Sequence, residues 1–235
     1  MKKVCSICLV ILMISLVSGC ATKFPDTDTV YIQKNGEISE ASVESFDKKY
    51  YSQDELESFI KDEIADYEDA HDSGSVKLTS FKMEDKTAKL MMKYDGYQSY
   101  SDFSGTELFE GTVVQAIAGG YKFDVDFAEV EDGKVKAESL DTESATESLA
   151  ESATESLTEG ATESLTETAT QTTESVSVSD VTSNDDYKVV ILNKDTDVEV
   201  KGTICYVSTK GVTVKDDNTA TVKELNDEVS YIVYK

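Results

Sequence analysis

Asp124 and Asp126 stand on the polar side of the run Tyr121-Lys122-Phe123-Asp124-Val125-Asp126-Phe127. A carboxylate pair is what hydrolysis of a glycosidic bond requires, one group to protonate the leaving oxygen and one to attack or to activate water. With 47 acids in the chain, two at i and i+2 on a polar strand face also arise by chance. Other reactive side chains are few. His71 is the one histidine, so a three-histidine zinc site is impossible, and a Ser-His-Asp or Cys-His site would have to use it. There is no GxSxG elbow and no nucleophile motif around Cys205. A P-loop and a GxGxxG are also missing. The stretch Asp195-Thr196-Asp197-Val198-Glu199 has the alternating acids of a calcium loop but lacks its glycine and closing glutamate. Tyr97, Tyr100 and Phe103, three apart, have the spacing of an aromatic stripe, which stacks on sugars or, more commonly, joins a core. These residues define no catalytic, cofactor-binding or metal site.

One thiol has a clearer assignment. Lys2 and Lys3 precede an apolar run from Val4 to Val17, and Ser18 and Gly19 lead to Cys20. Positive, apolar and small-residue segments in that order make an export signal. The apolar part is shorter than the ~20 residues that span a bilayer. The four residues Val17, Ser18, Gly19 and Cys20 resemble a bacterial lipobox, and the chain as a whole resembles the surface lipoproteins of Gram-positive bacteria. That resemblance implies a diacylglyceryl group on Cys20 and cleavage just before it. Two acyl chains would hold the protein stably at the outer face of the cell membrane. Ala21 is not acidic, so the inner-membrane retention signal of Gram-negative bacteria is missing.

Charge narrows the partners. The formal net charge is −25, and loss of Lys2 and Lys3 with the signal would take it to −27. All basic residues are lysine. An acidic chain without arginine repels nucleic acid and lacks the bidentate clamp for phosphate and base edges. Cys5 and Cys8 leave with the signal and Cys20 takes lipid, so Cys205 would be the remaining thiol and no internal disulfide forms. In the run Thr203-Ile204-Cys205-Tyr206-Val207 it reads as a buried strand residue.

The positioning elements follow from periodicity. Val30–Ile32 and Ile38–Phe46 read as strands around Asn35-Gly36, a hairpin signal, with Ala41 and Val43 as the apolar side of the second. Ser52 and Glu55 form a capping box, and Tyr51 and Leu56 a hydrophobic staple. Leu56, Phe59, Ile60, Ile64 and Tyr67 then define the buried face of a long amphipathic helix with an acidic outer side. Val76–Met83 and Thr87–Tyr94 make a second hairpin. A short helix, capped by Asp95, carries the aromatic stripe, and another runs from Val113 to Ala118 behind Thr112. Tyr121 to Phe127 reads as an amphipathic strand, turned at Asp132-Gly133. After Tyr187 come six short strands with turns at lysine, glycine and aspartate.

Between these parts, residues 137–186 repeat an octad: ATESLAES (145–152), ATESLTEG (153–160) and ATESLTET (161–168). On a helix an eight-residue period drifts, so Leu149, Leu157 and Leu165 share no face. Acids four apart, from Glu143 to Glu167, would stack like charges. High charge with little apolar content implies disorder. The expected fold is therefore α+β: antiparallel hairpins with one long amphipathic helix, a β-rich C-terminal part and a long disordered acidic insert. The expected organisation is a signal (1–19), a lipidated tether (20–28), an α+β region (29–136), the repeat (137–186) and a C-terminal region (187–235) completing the same domain. The expected function is a lipid-anchored, non-catalytic binding or envelope-associated module with a carbohydrate or protein partner. The alternative is a carbohydrate-active or other hydrolytic enzyme using acidic residues.

Overall fold

The computed structural model describes residues 24–48, 52–136, 176–226 and 228–235. The fold is mostly β with some helix. In the first half, β1 (Thr29–Ile32), β2 (Ile38–Ser45), β3 (Val76–Glu84), β4 (Thr87–Tyr94), β5 (Leu108–Thr112), β6 (Phe127–Glu131) and β7 (Lys134–Val135) are joined by α1 (Gln53–Ala70), α2 (Tyr97–Ser104) and α3 (Val113–Ala118). After the repeat come α4 (Val178–Thr182), β8 (Lys188–Leu192), β9 (Thr196–Val200), β10 (Ile204–Ser208), β11 (Val212–Val214), β12 (Thr219–Val222) and β13 (Ser230–Tyr234). One sheet has the order β11-β12-β9-β1-β2-β4-β3 and the other β5-β8-β13-β10-β6-β7. Both sheets therefore combine strands from the two sides of the repeat: β9 joins β1 in the first, and β8, β13 and β10 lie between β5 and β6 in the second.

Beside the expected antiparallel hairpins the first sheet contains one parallel pair. β1 and β9 run parallel, Val30 opposite Val198 and Ile32 opposite Val200. A parallel pair needs a long crossover, and here most of the chain supplies it. The hairpins are antiparallel, and two carry tight turns with both central residues at positive φ: Asp85 (49°) with Lys86 (64°), and Asp132 (48°) with Gly133 (68°). That backbone suits the right-handed twist of the flanking strands.

The two sheets face each other. Val30, Ile38, Met92 and Val198 of one pack with Val190, Val207 and Ile232 of the other. The second sheet is covered again on its outer face. There Phe109, Ile191, Tyr231 and Val233 pack with Val113 and Ala116 of α3 and Val181 of α4. Both faces of β8 and β13 are thus dry, which is why KVVIL and SYIVY read as continuous apolar runs without alternation. Cys205 is buried in β10, as the alternation suggested.

Several local expectations need correction. Helix α1 starts at Ser52, whose hydroxyl accepts from the Glu55 amide at 3.3 Å, but none of its residues is fully buried. Among the strands it lies mainly against β3, and Ile60, Ile64 and Tyr67 are only partly covered. The staple residue Tyr51 is outside the described residues. The N-cap of α2 is Gly96, while Asp95 accepts from the Ser99 hydroxyl at 2.5 Å. Helix α3 has its full capping box between Thr112 and Gln115. Residues 121–126 are irregular, and the strand begins at Phe127. Phe123 folds back on Phe127 and Tyr231 instead of continuing a ladder. The octads fall outside the described residues, but the end of the expected disordered stretch is folded. Val176 bridges Phe127, Ser177 caps α4 and Val181 is fully buried. Apolar residues return there, and burying them offsets the ordering cost.

Candidate functional site

A groove of about 650 Å³ opens between α1, α2 and the face of β2 and β4. Its floor follows from the sheet register. Ser42 lies opposite Leu90, Glu40 opposite Met92 and Ile38 opposite Tyr94, so these pairs share one face. Helix α1 crosses above without closing onto them. Its Phe59 stays 58% exposed although it lines the groove. Ile60 and Tyr67 of the same helix and Phe103 of α2 complete the apolar wall. The aromatic rings are in contact: Tyr67 meets Phe103 edge-on at 5.5 Å between centroids, and Phe103 lies 6.1 Å from Tyr94.

The inner end of the groove is polar. Glu40 is 5% exposed, in the middle of the apolar face between the sheets. Tyr94 donates its hydroxyl to Glu40 at 3.1 Å and Tyr100 at 3.3 Å. Lys194, from the turn between β8 and β9, forms an ion pair with Glu40 and donates to the Tyr100 hydroxyl at 3.4 Å. Burial pushes the Tyr94 phenol far above its ordinary value, and burial with the Glu40 charge pushes Tyr100 to about 12. Burial works against the charge of Lys194, but Glu40 and Tyr100 outweigh it, and the ammonium is held. A carboxylate taken up by two phenols and an ammonium is a structural tie rather than a free base. A second tie, with one phenol in place of two, sits elsewhere between the sheets. Glu110 of β5 accepts from Lys188 at 2.9 Å and from Tyr234 at 2.8 Å.

The rim differs. Glu63 and Asp66 of α1 and Asp102 of α2 line the mouth, are exposed, and have no hydrogen bond or ion pair among the described residues. Three unpaired carboxylates thus ring a pocket of aromatic and aliphatic side chains.

The residues singled out in the sequence do not converge here as a group. Val17, Ser18, Gly19 and Cys20 are outside the described residues. Tyr97, Tyr100 and Phe103 separate: Tyr97 packs on Phe109 at 5.1 Å, Tyr100 is fully buried and Phe103 lines the groove. His71 caps α1, stacked on Tyr67 at 3.9 Å with its Nδ1 2.9 Å from the Tyr67 carbonyl. Cys205 keeps its Sγ 3.4 Å from the Thr203 carbonyl, and burial raises its thiol pKa. Asp124 and Asp126 are exposed on an irregular segment rather than held on one strand face. The acids at 195–199 are dispersed among separate partners. Asp197 accepts from Lys215 at 2.6 Å, Thr221 at 2.7 Å and Thr27 at 2.9 Å. Burial alone would raise its pKa, but these donors hold it below the ordinary carboxylate value. Among the described residues no group of three His, Cys, Asp or Glu could hold a metal ion.

Sequence reasoning missed Glu40 and Lys194. It placed Ala41 and Val43 on the apolar side of β2, whereas Ile38 and Glu40 face the space between the sheets, and it read Lys194 as a turn residue. No protein-family model matches the chain, and no curated protein or solved structure is similar to it.

Proposed function

We propose that this chain is a lipid-anchored binding protein of the bacterial cell surface, a lipoprotein held at the outer face of the cell membrane through Cys20. The observation that carries this reading is the run of Lys2-Lys3, Val4–Val17 and Val17-Ser18-Gly19-Cys20. Charge, apolar length, small residues and thiol fall there in the order that export and lipidation require. No helix among the described residues is long and apolar enough to cross a membrane. Strand β1 begins nine residues after Cys20, so an extended tether of about 30 Å would keep the folded part near its bilayer.

Binding is the role that the groove supports best. A concave pocket of about 650 Å³ that combines aromatic and aliphatic side chains with polar and charged ones has the size of a small-molecule site. Its buried carboxylate is already taken by Lys194, Tyr94 and Tyr100. The long amphipathic helix α1 serves this reading as a wall left partly open. Detergent phase partitioning of the wild type and of Cys20→Ala tests the anchor. The wild type is expected in the detergent phase and the variant in the aqueous phase. Equal partitioning of the two would remove the lipid from the account.

A further inference from the structure

We propose that the groove under α1 takes an organic cation with an apolar body, of the alkyl- or arylammonium class. This rests on the binding reading above and names the chemistry of the ligand. Two independent features of the pocket point to it. The wall is aromatic: Phe59 is 58% exposed, and Tyr67 and Phe103 line the groove in edge contact at 5.5 Å. Aromatic faces attract cations through their negative quadrupole, and quaternary ammonium groups are recognised by such rings. The mouth is negative. Glu63, Asp66 and Asp102 come from two different helices, converge on one pocket and have no partner among the described residues.

Some acids elsewhere in the chain are paired with lysine. Glu37, Glu57, Glu129 and Asp197 each face a lysine within 3.1 Å. The one lysine lining the pocket, Lys194, is spent on Glu40 at the inner end. A bound anion would therefore meet three carboxylates and find no free cation. An uncharged apolar ligand would fill the wall but gain nothing from the rim. A cation with an apolar body satisfies both, its ring or chain against Leu90 and Met92 and its charge between the aromatic faces and the rim.

The test uses the full-length mature protein and three probes that share one phenyl ring: benzyltrimethylammonium, benzoate and benzyl alcohol. Calorimetric titration is run beside methyl NMR, in which Met92 reports from the floor of the groove. The cation is expected to bind and to shift the Met92 methyl, at least tenfold tighter than benzoate or benzyl alcohol. The triple variant Glu63→Gln/Asp66→Asn/Asp102→Asn changes exposed side chains only. It is expected to weaken the cation about fivefold or more, with no change for benzyl alcohol. If benzyl alcohol binds as well as the cation, or the triple variant binds the cation unchanged, the cation assignment is overturned while the groove remains a binding site. If the Met92 methyl moves with none of the three probes, the assignment and the binding role of the groove fall together.

Discussion

Removing Lys194 from the tie at Glu40 should destabilise the fold far more than removing a surface lysine. In Lys194→Met the Glu40 carboxylate, 5% exposed, keeps two phenol donors and loses its only cation. Breaking a buried pair from one side costs about 3–5 kcal/mol because a charge is left unpaired. The Lys194 side chain is itself 26% exposed, so water softens the loss and the lower end, about 3 kcal/mol, applies. For a chain of this size that is a fall in Tm of about 6–12 °C. The double variant Glu40→Gln/Lys194→Met has no buried charge, and its amide oxygen still accepts from a tyrosine. It should therefore be more stable than Lys194→Met alone, within about 1–2 kcal/mol of the wild type. Urea unfolding followed by circular dichroism measures all three proteins. A Lys194→Met variant within 0.5 kcal/mol of the wild type would refute the role of the tie. So would a double variant no more stable than the single one.

Two further predictions concern the insert and the buried phenols. Lys136 and Val176 both bond to β6, the Lys136 amide to the Glu129 carbonyl at 2.8 Å and the Val176 amide to the Phe127 carbonyl at 3.0 Å. The intervening residues 137–175 thus leave and rejoin one strand two residues apart. Replacing them with a four-residue Gly-Ser linker shortens the loop roughly tenfold and should stabilise the fold by about 2 kcal/mol through loop-closure entropy, read as a higher urea midpoint; a lower midpoint would show that the repeat itself supports the fold. Tyr94 and Tyr100 keep their protons above the ordinary phenol value of 10.0, and Lys194 is held charged above 10.5. All three are raised in the folded state, so their contribution is complete below pH 10 and declines as pH rises above it. Absorbance at 295 nm should show these phenols ionising only as the protein unfolds, and a single titration of all 12 tyrosines in a protein still folded would contradict this.

The parts of the fold that were legible in the sequence are those fixed by local chemistry. The Asn35-Gly36 hairpin, the cap at Thr112 and the buried run at Tyr231–Tyr234 depend on residues near one another in the chain. The face of β2 does not. Ala41 and Val43 make one side of that strand apolar, but Ile38 and Glu40 are turned inward because their register partners Tyr94 and Met92 are. Glu40 is tolerated there because Lys194 arrives from 154 residues away. No spacing rule links those two positions. Pairing of β1 with β9 is nonlocal in the same way, and parallel strands leave no turn signature between them. The groove was half visible. The spacing of Leu56, Phe59, Ile60, Ile64 and Tyr67 predicts a buried helical face, but no residue of α1 is buried and Phe59 is 58% exposed, because burial depends on whether another element covers the helix. Residues 176–186 were assigned to the repeat on charge, whereas Val176, Val178 and Val181 mark the return of apolar residues, and α4 packs there.

The most direct test of the account is the mass of the N-terminal peptide of the protein isolated from cell membranes. The predicted result is a mature chain that begins at Cys20, lacks residues 1–19, and carries on that cysteine the mass of a diacylglyceryl group. A chain that retains residues 1–19, or one cut elsewhere with an unmodified Cys20 thiol, would contradict it.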